Sequence, residues 1–260
     1  MTTLSVRRTL SLTRWNVVLL SRNRLAFAYA LVVPLLPLGL LLTGERGSPS
    51  VGAGAIVTLF MALAFFPVYY NVLAQFVNRR DELVLKRMRT GETRDAELLL
   101  SIALPGATVA VVLSALVVPI AAAAGQPLPV NPLLYAALVV AVVVMFTAFA
   151  YWTAAWTRNA EAAQLTSLPI IVATSLGPLT SSNPDLSDRL RDVLSFTPGT
   201  AMSELIRIGW FGLDGPAAKE AGLTFAETWL QAAEPLVVIV VWTCVAVTLA
   251  RRSMRWEPRA

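Results

Sequence analysis

Histidine is absent from this 260-residue chain, and cysteine occurs once. The first absence excludes Ser-His-Asp triads, His-ligated metals and HExxH proteolysis. The lone Cys244, set in an apolar run, excludes an intrachain disulfide and a thiolate metal cluster. Charge is scarce as well. Asp, Glu, Lys and Arg make up 14% of the residues, where soluble domains carry about 25%. Lysine stands only at 86 and 219, and neither follows the Gly-rich cradle that a phosphate-binding loop needs. There is no G-x-S-x-G elbow either. Composition therefore speaks against an enzyme before any fold is considered.

What the chain has instead is apolar length. It is 56% hydrophobic, with a mean hydropathy of +0.65. A membrane-spanning helix needs about 20 apolar residues to cross about 30 Å of hydrocarbon. Six runs meet this: 25–43, 51–77, 98–124, 132–157, 163–181 and 231–250. Counting the last from Pro235, none contains a charged residue. The expected architecture is an all-α, polytopic membrane protein, a single six-span domain over 1–260. Of the 21 Lys and Arg residues, 16 fall on the side of the two termini and 5 on the other. The positive-inside rule then puts both termini in the cytoplasm, across a cell inner (cytoplasmic) membrane. On this reading the basic excess, with its pI near 9.9, is a topology signal and not a nucleic-acid footprint.

The non-spanning pieces carry the chemistry. Residues 5–24 are basic, without an acid, and place Leu12, Trp15 and Leu19 at i, i+3 and i+7 on one helical face. Such a helix is expected to lie in the cytoplasmic interface, although a plain basic flank accounts for the charges too. After the second run, Asp81 and Glu82 stand four or five residues before Lys86 and Arg87, a spacing that supports a helix in water. Leu83, Leu85 and Met88 leave apolar knobs among these charges, as a docking element for a soluble partner carries. Segment 182–230 is the longest external piece. Asn183-Pro184-Asp185 reads as a helix start, with Leu186, Leu190, Val193 and Leu194 on one face. Met202, Leu205, Ile206 and Trp210 suggest a second short helix. The pair fits equally as helices tucked against the bundle and as an exposed cap. Within the spans the polar groups are neutral, which disfavours ion coupling. Most read as interhelical hydrogen-bond partners. Tyr69, Tyr70, Asn71 and Gln75 are the candidates for lining a path.

Three stretches together resemble the membrane subunit of a type-2 ATP-binding-cassette exporter. The run Arg79-Arg80-Asp81-Glu82-Leu83-Val84-Leu85-Lys86-Arg87-Met88-Arg89-Thr90 is similar to that family's basic–acidic loop after the second span. Two departures stand out in it: Leu83-Val84 replaces a usual Gly-Thr, and Gly91-Glu92 a usual Thr-Pro. Asn159-Ala160-Glu161-Ala162-Ala163 with Leu168-Pro169 resembles the turn into the fifth span. Phe196-Thr197-Pro198-Gly199 with Ala201-Met202-Ser203-Glu204-Leu205 resembles the stretch before the last one. The basic N-terminal segment matches the family's elbow helix in position.

The resemblance implies a half-transporter that pairs with a second copy of itself or a homologous permease. It implies a separate ABC ATPase subunit that holds the ATP and Mg, with no cofactor or metal on this chain. Arg80, Glu82, Leu83, Lys86, Arg87 and Met88 become the expected ATPase-docking residues. With no charge in the spans, the expected cargo is apolar or amphipathic: a drug, an antibiotic or a lipid-linked compound. The competing expectation is a membrane scaffold or assembly factor that transports nothing.

Overall fold

A computed structural model of the chain describes residues 5–43, 47–85, 94–159, 161–176, 187–215, 222–254 and 256. Among them every regular element is helical. Helix α1 is Val6–Arg22, and α2 is Arg24–Leu35, extended by a tight turn at Leu36–Gly39 and a last turn at Leu40–Thr43. Then come α3 (Pro49–Asp81), α4 (Asp95–Ala123), α5 (Pro132–Ala154) and the short α6 (Ala163–Ser175). The chain closes with α7 (Asp188–Ser195), α8 (Pro198–Phe211), α9 (Phe225–Gln231) and α10 (Ala233–Ser253).

Four of these, α3, α4, α5 and α10, are long and apolar enough to cross a membrane. A fifth candidate is the pair α1–α2, whose axes turn by 77° relative to one another. Helix α6 is apolar but shorter, and 177–181 of the expected fifth run lies outside the described residues. Helix α3 is the centre of the bundle: 72% of its apolar stretch is buried, against 33% for α4 and 28% for α10. The outward faces of α4 and α10 carry Val111, Val112, Leu116, Ile120, Val237, Val240 and Val241 exposed. Apolar surface of that extent is stable only against hydrocarbon or protein.

Local sequence explains the ends and the bends. Asn131 caps α5 by accepting the Leu134 N–H at 2.9 Å, with Pro132 at the first helical position. Thr197 does the same for α8 ahead of Pro198, and Gly212 ends that helix in a left-handed turn (φ +62°). In the middle of α3, Ala64–Tyr70 widens into a π-helix around Pro67. Proline removes one backbone donor, and the wider turn absorbs the ring without breaking the helix. Gly106 of α4 packs directly on this turn: a Cβ there would lie 1.9 Å from the Pro67 carbonyl oxygen.

The helices are joined by interior hydrogen bonds between neutral groups, as expected where water is excluded. Tyr135 Oη donates to the Ser114 carbonyl at 2.8 Å, Tyr151 Oη to the Leu99 carbonyl at 2.6 Å, and Asn131 Nδ2 to Thr228 Oγ1 at 2.9 Å.

The stretch before α10 is not an exposed cap. Helix α8 is buried along almost its whole length, against α3, α5, α6 and α10. The Val130 and Asn131 N–H groups donate to the Trp210 and Gly209 carbonyls, and Trp210 Nε1 donates to Pro127 O at 2.9 Å. Gly199 lets the start of α8 sit on Thr174 of α6, where a Cβ would lie 1.8 Å from the Thr174 carbonyl oxygen. Just before it, Phe196 O accepts from Trp242 Nε1 at 2.7 Å, near the middle of α10. Among the described side chains of α7, Leu194 is buried, while Leu190 and Val193 are exposed. The expected helix start at Asn183-Pro184-Asp185, with Leu186, lies outside the described residues.

Candidate functional site

The sequence directs attention to the end of the bundle where α3 stops. Its buried stripe runs Val72, Leu73, Phe76, Val77 and Arg80, so Arg80 continues an apolar face with a guanidinium. That side chain is fully buried. Its Nη1 donates to the Ala154 carbonyl at 2.8 Å, and its Nη2 to the Thr157 and Arg158 carbonyls at 2.7 and 3.2 Å. A rigid fork of donors suits three carbonyls fanned around the frayed end of α5. Of the six expected docking residues, Arg80 is the one whose side chain the structure commits to the bundle. It is a latch that fixes the end of α3 to the end of α5.

Beyond the latch the chain turns outward. The Glu82 N–H bonds the Asn78 carbonyl and the Leu83 N–H the Arg80 carbonyl, ending the helix. Glu82 is exposed, and Leu83 is 41% exposed with a left-handed backbone (φ +59°). A branched side chain pays roughly 1–2 kcal/mol for that conformation. Leucine thus stands in the left-handed backbone at the position where the similar family loop carries glycine. Val84 is half-buried and Leu85 is buried, while Lys86, Arg87 and Met88 lie outside the described residues.

Helix α1 packs on the same end. Trp15 and Leu19 are exposed by 65% and 56%, and Leu12 is half-buried, so their common face is turned away from the protein. The stripe that meets the bundle is Thr9, Asn16 and Leu20, which a search for apolar spacing passes over. Asn16 Nδ2 donates to the Ser101 carbonyl of α4 at 2.5 Å, and Asn16 Oδ1 accepts from Arg79 Nη2 of α3. At the other end of the helix, the Ser5 N–H donates to Glu97 Oε1 at 2.8 Å.

The four path candidates do not share one surface. Tyr69 is fully buried and donates to Thr153 Oγ1 of α5 at 2.9 Å, so it belongs to the core of one bundle. Tyr70 is half-buried beside Ser167 of α6, oxygen to oxygen 3.2 Å. Gln75 Nε2 donates to Asn71 Oδ1 at 2.7 Å, and Gln75 Oε1 accepts from Arg79 at 3.3 Å, which turns this pair toward α1 and α4. Next to Tyr70 on the open flank of α3, Phe66 stacks on the half-exposed Tyr29 of α2, with ring centroids 6.5 Å apart.

The comparison with known families agrees with a chain of long apolar helices. Residues 35–250 match the family described as ABC-2 family transporter protein. The chain belongs to the ABC-2 transporter family. No curated protein matches it. The match covers most of the chain and takes in α3 to α9 and nearly all of α10. An ABC-2 permease is a non-catalytic membrane subunit, and membership implies an ABC ATPase partner and a membrane around the apolar helices.

Proposed function

We propose that this permease exports an apolar or amphipathic compound across the cytoplasmic membrane, driven by ATP and Mg bound to a separate ABC ATPase. The observation that carries the reading is the turn at Glu82–Leu83. It is exposed, charged and apolar together, and held at a fixed height by the buried Arg80 latch. In this reading α2 and α6 complete six spans, both termini are cytoplasmic, and α1 lies in the interface with Leu12, Trp15 and Leu19 toward lipid. Helix α8 enters the bundle from the outside, with α7 at its rim.

Two such permeases form the working unit, with the path along their contact. The flank of α3 with Phe66 and Tyr70, beside Tyr29, is the surface we assign to it, since Tyr69 is committed to the core. Helix α8 brings Glu204 and Arg207 into the packed bundle, so charge is not wholly excluded from it. Arg207 is occupied, donating to the Gly215 carbonyl at 3.1 Å. A buried ion without a partner costs several kcal/mol, and the α3 flank offers only neutral groups. Cargo with a large apolar part fits that surface, with any charged group held at the headgroups.

The docking turn is tested by the double variant Glu82→Ala, Leu83→Gly. Glycine accepts the left-handed backbone, so folding is preserved or slightly improved while the charge and the knob are lost. Thermal stability is expected to stay at or above the unaltered value, while co-purification of the ATPase falls severalfold. Undiminished co-purification from the stable variant would remove this turn from the interface.

A further inference from the structure

Three polar side chains recur at every fourth residue along α3 and are joined end to end. Arg79 Nη2 donates to Gln75 Oε1 at 3.3 Å, and Gln75 Nε2 donates to Asn71 Oδ1 at 2.7 Å. The same Nη2 donates to Asn16 Oδ1 of α1, and Asn16 Nδ2 ends that branch on the Ser101 carbonyl at 2.5 Å. An arginine can only donate, so it fixes the direction of every bond in both branches. Gln75 turns its oxygen to Arg79 and its nitrogen to Asn71, which leaves a nitrogen at the head of the row. That Asn71 Nδ2 is covered and has no partner. It lies just after the π-turn, beside Gly106 of α4. A buried donor left over in this way calls for an acceptor from outside the chain.

The foot of the row is open too. Arg79 is half-buried, and among the described residues no carboxylate stands within ion-pair distance of it. Both of its hydrogen bonds leave from Nη2, so Nη1 and Nε remain available. Arg80, the next residue, is the contrast, with carbonyls on both of its terminal nitrogens. Asn71 and Gln75 are half-buried as well, so the row keeps an edge at the surface of the bundle. In the orientation proposed above, that edge runs from the inner head groups toward the membrane interior, on a different face from Phe66 and Tyr70. Arg7, Arg14 and Arg22 stand exposed along α1 and draw anionic lipid to the same level.

We propose that the row Asn71–Gln75–Arg79 binds an anionic phospholipid of the inner leaflet. The guanidinium takes the phosphate, and the Asn71 amide takes an ester carbonyl deeper in the membrane. The bilayer thus supplies the anion and the acceptor that the chain leaves out. The site is separate from the cargo surface, and only its placement in the inner leaflet rests on the proposed function.

The test uses the full permease, purified in detergent without an ATPase. Retained lipid is counted by native mass spectrometry after equal exposure to phosphatidylglycerol and phosphatidylcholine with the same chains. The unaltered permease is expected to prefer phosphatidylglycerol by about tenfold, the size of one hydrogen bond to a charged group. Arg79→Met should abolish that preference. Asn71→Leu should lower retention of both lipids about threefold and leave the preference unchanged, since both carry the ester carbonyl. Diether phosphatidylglycerol has no such carbonyl, so Asn71→Leu should not alter its retention. Pairing the residue with its acceptor separates a contact from a loosened fold, and it decides the matter even if Arg79→Met does not fold.

Equal retention of the two head groups by the unaltered permease would overturn the proposal. So would equal losses of diether and ester lipid in Asn71→Leu. Loss of the preference in Arg14→Gln, as full as in Arg79→Met, would overturn it by assigning the preference to the exposed face of α1. Displacement of the lipid by transported amphiphiles would overturn it in favour of cargo. Failure of amphiphile transport with lipid retention intact would instead sink the proposed function and leave this site standing.

Discussion

Gly106→Ala is expected to lower the unfolding temperature of the permease by several degrees and to reduce its folded yield sharply. The added methyl would lie 1.9 Å from the Pro67 carbonyl oxygen and 2.9 Å from Asn71 Nδ2. The first of these atoms is backbone within the π-turn of α3, so no rotamer change relieves the clash. Helices α3 and α4 have to separate. Overpacking costs about 1–3 kcal/mol where side chains can adjust, and this contact belongs at the upper end or beyond. Alanine's better helix propensity returns only about 1 kcal/mol, so the clash decides the sign. Gly54 supplies the control, because a Cβ there meets nothing within 4 Å. Gly54→Ala should leave the melting temperature unchanged or raise it slightly. Thermal unfolding of both variants in one detergent checks the pair, and equal melting temperatures would refute the close approach of α3 and α4.

Arg80→Ala is the second change with a large expected effect. It leaves the carbonyls of Ala154, Thr157 and Arg158 without the donor that now serves all three. Leaving a buried hydrogen-bond acceptor unsatisfied costs about 1–3 kcal/mol, and three acceptors are affected here. Arg80→Lys restores little, since an ammonium is a point charge and cannot span three fanned carbonyls. Both variants should melt earlier, and both should lose the ATPase secondarily, because the turn at Glu82–Leu83 no longer has a fixed base. An Arg80→Ala protein with unchanged stability and impaired ATPase binding would return Arg80 to the docking surface.

The contrast between Arg79, Arg80 and Glu82 shows how far the sequence carries. Composition marks all three as one charged segment, and the segment was legible as such. Which residue is buried depends on register: Arg80 follows Leu73, Phe76 and Val77 on one stripe, a signal present in the sequence and hidden by the convention that arginines face solvent. Likewise the apolar spacing of Leu12, Trp15 and Leu19 located a real helix, while its packed face is the polar one through Thr9 and Asn16. Small polar residues reach backbone carbonyls such as Ser101 O, and hydrophobicity cannot register that. The bond from Ser5 to Glu97 spans 92 residues and was beyond any local pattern.

The long runs that became α3, α4, α5 and α10 were legible, because only a helix satisfies a backbone in hydrocarbon. The widened turn at Pro67 was not legible, because Gly106, which packs on it, comes from another helix. Helix α8 was found from Met202, Leu205, Ile206 and Trp210. Its depth was not, because Gly199 and Gly209 act by what they allow next to Thr174 and Leu134.

The most direct measurement is ATP-dependent uptake into inside-out membrane vesicles that contain the permease and its ABC ATPase. The probes are fluorescent amphiphiles graded in hydrophobicity, with a small hydrophilic ion as the comparison. The account predicts accumulation of the amphiphiles that requires ATP, Mg and both subunits, is lost with Glu82→Ala, Leu83→Gly, and does not extend to the ion. A complex that forms and hydrolyses ATP yet moves only the small hydrophilic ion, or moves nothing in the panel, would contradict it.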